Sequence, residues 1–196
     1  MKKVPQMIPD FQDHLPTLDS LTLNDLGTYM LFEDINPESI RDVCEFVIKS
    51  NYVYSSKDKI TLMINSPGGA VYDGFALIDL MQLSKVPICT VAIGNVSSMG
   101  AVIFTAGTRG ERVMTKNSCM MIHQFADSIE GKYHEIIAQR AHQDKIHERF
   151  VKHFVANSNL TTDKVKKLIL NASDCYIEAK DALKMGLCDR IQSPWQ

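Results

Sequence analysis

Two rhythms of apolar residues run along the chain. Short apolar runs bounded by turn-forming residues predict strands, and apolar positions three and four apart predict helices. The first run, Tyr29-Met30-Leu31-Phe32, reads as a strand. Asn36-Pro37 then marks a helix start, with asparagine as N-cap and proline at the first helical position. Ile40, Val43, Cys44, Val47 and Ile48 continue that helix with one buried face. Residues 60–64 form the next strand, Ser66-Pro67-Gly68-Gly69 breaks it, and residues 73–83 read as a helix. Residues 87–93 have the continuous apolar character of a buried strand. Gly94-Asn95-Val96-Ser97-Ser98 reads as a turn, 99–106 as a buried helix of small residues and 119–122 as a further strand. A long helix is predicted over 132–156 and another from near Thr162. Cys175-Tyr176-Ile177 is a short strand, and the helix over 178–185 is terminated by Gly186. Residues 187–191 close the core.

Strand and helix alternate with short links, the pattern of an α/β domain with a largely parallel sheet. Ligands in such sheets sit beyond the carboxyl ends of the strands. Both glycine-rich breaks, at Gly68-Gly69 and from Gly94 to Gly100, lie at such ends. Residues 1–27 carry Pro5, Pro9 and Pro16 and show no clear period. They are expected to form an arm or axial segment, with one domain over 28–196.

Composition narrows the function classes. The chain has 196 residues, 45% of them hydrophobic, which is enough for a packed core. The formal net charge of −2 argues against a general nucleic-acid binder. No run approaches the roughly 18 apolar residues of a membrane span, and Pro5, Pro9 and Asp10 make the start a poor signal peptide. The five cysteines, Cys44, Cys89, Cys119, Cys175 and Cys188, are scattered and form no C-x-x-C pair. Reduced thiols in a cytosolic protein are expected.

Three kinds of residue could carry chemistry. Ser98 lies between a buried strand and a helix of small residues, so it faces free backbone N–H groups and a favourable dipole. It reads either as a nucleophile or as a plain N-cap, and Ser97 competes for both roles. His123 ends a strand at its carboxyl side, where a base is well placed. A carboxylate to orient that imidazole could be Asp127, Asp144, Asp163, Asp174, Asp181 or Asp189, and spacing does not choose among them. His134-Glu135 and His147-Glu148 suggest a zinc motif, but Ala138 and Val151 stand where the second histidine is required. No Gly-Lys-Ser/Thr follows the glycine pair, so the chain is not expected to hydrolyse ATP. No metal or cofactor is expected.

Ser66-Pro67-Gly68-Gly69, Ser97-Ser98-Met99-Gly100-Ala101 and Met121-Ile122-His123-Gln124 resemble, in order and spacing, the signature blocks of the Clp protease proteolytic subunit (ClpP) family. Asp174-Cys175-Tyr176-Ile177-Glu178-Ala179, running on to Gly186-Leu187, resembles that family's segment around its catalytic aspartate. The resemblance implies a ClpP/crotonase-like α/β fold, built of repeated β-β-α units with a protruding long helix and strand handle. It also implies a serine endopeptidase acting on peptides and unfolded proteins. Ser98 would be the nucleophile, His123 the base and then the acid, and Asp174 the group that orients His123. The N–H groups of Gly69 and Met99 would form the oxyanion hole. The segments near Gly69-Ala70-Val71 and Gln124-Phe125-Ala126 would clamp an extended peptide. Self-association into heptameric rings, a tetradecamer, and an AAA+ unfoldase partner in the cytoplasm are further implications, with no nucleic acid and no membrane.

The chain also departs from the family pattern. The positions matching the unfoldase pocket are Thr61, Met63, Leu83 and Val113, none of them aromatic. Ser173 stands where an arginine often pairs across rings, and Phe125 where proline is usual. The handle would run over 126–131. These departures motivate a second reading, a catalytically silent subunit of a mixed ring. A third is a crotonase-like acyl-CoA enzyme, which would not need Ser98 and His123 together.

Overall fold

The computed structural model describes residues 21–124 and 128–192. The chain runs β1 (Thr28–Leu31), α1 (Pro37–Val53), β2 (Ile60–Ser66), α2 (Val71–Leu83), β3 (Ile88–Ser97), α3 (Met99–Thr105), β4 (Arg112–Met114) and β5 (Cys119–Ile122). It continues through α4 (Tyr133–Ala156), α5 (Thr162–Lys164), β6 (Cys175–Glu178), α6 (Ala179–Met185) and β7 (Arg190–Ile191). A π-helical turn over Val165–Ile169 extends α5.

Local chemistry sets several of these boundaries. Asn36 Oδ1 accepts from the N–H groups of Glu38 and Ser39 at 2.9 and 3.0 Å. Ser39 Oγ returns the bond by accepting from the Asn36 N–H at 3.1 Å, which closes a capping box before Pro37. Gly186, at φ 72°, ends α6 in the left-handed conformation that glycine adopts without a Cβ penalty. Of the expected arm, 21–27 contains a turn, and 1–20 lies outside the described residues.

The sheet is parallel along β1-β2-β3-β4-β7. β3 is its axis and it forks. Thr90 to Ala92 pair with β4, while Asn95 to Ser97 pair in parallel with β5. β6 then adds antiparallel to β5. Residues 94–98, expected to be a turn, therefore remain strand as far as Ser97. The chain bulges at Gly94, where φ is 66°, and the Asn95 N–H donates to Asn65 Oδ1 at 3.1 Å across the irregularity. Cross-strand pairing beyond the bulge restores the ladder, which the Gly-Asn pair alone does not reveal.

The main core packs α1, α2, α3 and the inner half of α4 against one sheet face, around Leu31, Ile64, Leu77, Val102, Phe104 and Phe154. A smaller cluster of Met63, Cys89, Val91 and Val113 is separate from it. The first buried residue of α4 is Ile146, so the N-terminal half of this helix projects from the body. Residues 128–131 form no strand, and 125–127 of the expected handle and clamp lie outside the described residues.

β4 was not legible in the sequence. It is three residues long and begins with Arg112, whose side chain is only 2% exposed. Arg112 Nε and Nη2 donate to Asp189 Oδ2 and Oδ1 at 2.9 and 2.7 Å. The guanidinium also donates to the carbonyls of Asn157 and Gly186. Asp189 Oδ2 accepts in addition from the Gly110 and Arg112 N–H groups. One buried cation thus fastens the ends of α4 and α6 to the sheet.

Candidate active site

Ser98 joins β3 to α3 with φ 51° and ψ −122°. Among the described residues it is the one non-glycine with positive φ. Such backbone strain of about 1–3 kcal/mol persists only where the surroundings impose it. The serine makes no capping hydrogen bond, so the plain N-cap reading fails. Its N–H donates to the Met121 carbonyl at 2.8 Å, which ties the turn to β5. Ser97 is excluded as a competitor, because its hydroxyl donates to Asn95 Oδ1 at 2.8 Å.

The Ser66-Pro67-Gly68-Gly69 loop presses against this turn from β2. A Cβ on Gly68 would stand 2.6 Å from Ser98 Cβ and 2.9 Å from the Met99 nitrogen. A Cβ on Gly69 would stand 2.2 Å from the Ile35 carbonyl oxygen. Ile35 bonds both neighbours of Gly69: its N–H donates to Gly68 and its carbonyl accepts from Ala70. The N–H groups of Gly69 and Met99 have no backbone acceptor among the described residues.

His123 follows β5 and is half-buried. Its Nε2 lies 2.8 Å from Ser98 Oγ, so two residues from separate strands meet at the carboxyl edge of the sheet. The antiparallel register ends with Ile122 paired to Cys175, so His123 and Asp174 are the residues that directly adjoin the last pair of this ladder. Asp174 is exposed and makes no hydrogen bond to His123 among the described residues. The other carboxylates are accounted for elsewhere: Asp181 pairs with Lys184, Asp144 with Arg140 and Asp189 with Arg112. Asp163 sits in the first turn of α5, and Asp127 lies outside the described residues.

A small pocket adjoins the serine, lined by Val71, Met99, Val102, Ile122, Phe150 and Phe154 together with Ser98 and His123. The two phenylalanines were missed in the sequence, although their one-turn spacing on α4 places them on one face. A larger open cleft of about 710 Å3 lies away from this chemistry, between α1 and the segment before β1.

His153 lies on the buried face of α4. It is 8% exposed, and Nε2 lies 2.9 Å from Thr105 Oγ1. The Thr105 hydroxyl already donates to the Ala101 and Val102 carbonyls, so it accepts from the imidazole N–H. Burial pushes the pKa of His153 down to about 4, the nearby Arg112 charge adds to this, and a backbone bond at Val102 partly opposes it. His142 also has a partner, since its Nε2 meets the Tyr72 hydroxyl and the two rings stack. Of the four positions matched to an unfoldase pocket, Met63 and Val113 are buried together in the smaller cluster, Thr61 is half-buried two residues before Met63 on β2, and Leu83 is exposed at the end of α2.

A parallel α/β sheet presenting a strained serine, a histidine in hydrogen-bond reach and free backbone N–H groups can in principle support acyl transfer through an alcohol nucleophile. The Clp protease family model matches residues 22–194, and the chain belongs to that family. An ATP-dependent Clp protease proteolytic subunit from Deinococcus radiodurans is 32% identical over 135 residues, which are 69% of this chain and 65% of the relative. The chain thus spans somewhat less than two thirds of that relative's length.

Proposed function

We propose that the chain is a serine peptidase subunit in which Ser98, His123 and Asp174 act as a triad. The observation that carries this is the 2.8 Å contact between Ser98 Oγ and His123 Nε2 at the one strained non-glycine among the described residues. His123 takes the hydroxyl proton as Ser98 Oγ attacks a peptide carbonyl, and later gives it to the departing amine. The Gly69 and Met99 N–H groups receive the oxyanion, and each such donor typically contributes ~10²–10³ in rate. Water then attacks the acyl-serine, with His123 as base. Asp174 completes the triad after a shift at the β5–β6 edge that brings its carboxylate to His123 Nδ1. Labelling with a fluorophosphonate tests the nucleophile. Wild type should react and Ser98→Ala should not, and equal labelling removes Ser98 from the mechanism.

Membership of the Clp protease family supports assembly into heptameric rings, stacked as a tetradecamer, with an AAA+ unfoldase delivering unfolded chains in the cytoplasm. The projecting half of α4, with Tyr133, Ile136 and Ile137 exposed, is suited to contacts with further copies. Five unpaired cysteines fit a reducing compartment. Native mass measurement with and without a candidate unfoldase decides ring number and partner.

A second reading is a catalytically silent ring subunit, favoured by the exposed Asp174 and its missing bond to His123. Peptide turnover by the purified chain excludes it.

A further inference from the structure

His123 is flanked by two ties that run to the same short loop. On one side, Ile122 pairs with Cys175 in the β5–β6 ladder. On the other, the Gln124 side-chain amide donates from Nε2 to the Leu170 carbonyl at 3.1 Å. Leu170 closes the π-helical turn that extends α5, and its N–H donates to the Val165 carbonyl at 2.9 Å. Its own carbonyl lies past the last helical residue, where a helix end leaves acceptors without an intrahelical partner. Gln124 supplies the donor. Leu170 and Ile169 are buried, so this tie ends on the core. Only residues 171–174 lie between the two ties, and Asp174 is the last of them. Inside the loop, Asn171 Oδ1 accepts from the Ser173 N–H at 2.7 Å and Nδ2 donates to the Leu168 carbonyl at 3.3 Å, which stiffens the first half.

Building on the serine peptidase reading, we propose that Gln124 is a positioning residue: its side-chain amide holds the loop 171–174 closed across His123 and so keeps the Asp174 carboxylate within reach of the imidazole. The two anchors on β5 are the immediate neighbours of His123, so the loop follows the histidine it serves. Bringing Asp174 to His123 Nδ1 then needs a shift only within four residues whose ends are fixed. Without the Gln124 bond the loop is fastened to this edge at Cys175 alone. The exposed carboxylate then stays in water for more of the time, and fewer chains have Asp174 on the imidazole. One hydrogen bond shifts such an equilibrium by roughly 2- to 10-fold. This use of the side chain is separate from any contact that the Gln124 backbone makes with an extended peptide.

Gln124 is exposed, so Gln124→Met removes the donor at nearly constant length without disturbing the core. Two readouts are taken on the full chain. Amide hydrogen exchange over residues 170–174, followed by mass, reports the loop, and Gln124→Met should speed it roughly threefold. The rate of labelling by a small alkyl fluorophosphonate, which carries no peptide, reports the serine, and it should fall roughly fivefold. In an Asp174→Asn chain the same substitution should change labelling by less than about twofold, because the carboxylate it positions is gone. Unchanged exchange in Gln124→Met overturns the proposal, and so does faster exchange with undiminished labelling. Equal slowing in the wild-type and Asp174→Asn backgrounds overturns it as well, since Gln124 then acts by another route. Faster exchange in a chain that labels in no variant sinks the peptidase reading alone and upholds the loop closure. Labelling of wild type with no exchange response sinks the tether alone.

Discussion

Replacing Ser98 by glycine should stabilise the fold relative to replacing it by alanine, the reverse of the ordinary order. At most positions glycine is about 0.5–1 kcal/mol worse than alanine, because its unfolded chain is freer. Ser98 sits at φ 51° and ψ −122°, where a Cβ is strained by about 1–3 kcal/mol. Alanine retains that strain and glycine removes it. The two effects oppose one another, and the strain is the larger, so Ser98→Gly should exceed Ser98→Ala by about 1 kcal/mol. Both lose the hydroxyl and its contact with His123 Nε2, so that loss cancels in the comparison. Urea unfolding at matched protein concentration, with the slope checked for equality, reads the difference as a shift in midpoint. In a thermal scan it corresponds to roughly 2–4 °C for a domain of this size. Glycine less stable than alanine by the usual 0.5–1 kcal/mol would show that the serine is not strained, and one argument for its selection as a nucleophile would go with it.

Gly68→Ala should cut the rate of fluorophosphonate labelling about 10²-fold, because its Cβ would lie 2.6 Å from Ser98 Cβ, and displacement of a reacting group by about 1 Å has that effect. Normal labelling in that variant would refute the geometry. Arg112→Met should destabilise the chain by about 3–5 kcal/mol, since it leaves the Asp189 carboxylate and the Asn157 and Gly186 carbonyls without their donor; denaturant unfolding measures it, and a change within ~0.5 kcal/mol would contradict the latch. His153 is held neutral in the fold at a pKa of about 4 against an ordinary 6.5. Its contribution to stability is therefore complete above about pH 6.5 and lost as pH falls toward about 4, at roughly 1.4 kcal/mol per unit. His153→Gln should flatten stability across that window, and an unchanged pH profile would show that His153 is not the titrating group. For Asp189, burial would raise the pKa, but the hydrogen bonds and charge of Arg112 and the Gly110 N–H outweigh it and lower the value. The stability it supplies is present above the ordinary carboxylate range and is lost as pH drops through the lowered value, so Asp189→Asn should lower stability at neutral pH, by leaving the buried Arg112 unpaired, and flatten the acid end of the profile.

Much of this protein is written in local chemistry. Asn36-Pro37 starts α1, Gly186 ends α6, and the apolar runs of β1, β2 and β5 fall within a residue or two of where spacing predicts them. These are short-range effects, in which a cap or a φ preference acts on its own neighbours. The blocks around Gly69, Ser98 and His123 stood out through their resemblance to a known family, whereas read alone Ser98 fitted an N-cap as well as a nucleophile and spacing chose no carboxylate. Long-range pairing decided the rest. β3 runs through Gly94 because β5 is there to receive Asn95 to Ser97, and β4 exists because a carboxylate from the far end of the chain meets Arg112. Whether a histidine on α4 is solvated or buried depends on α3 supplying the Thr105 hydroxyl to His153, and the pocket beside Ser98 takes Phe150 and Phe154 from the same distant helix. Burial and register are properties of contacts between segments distant in sequence, and no window along the chain contains both partners.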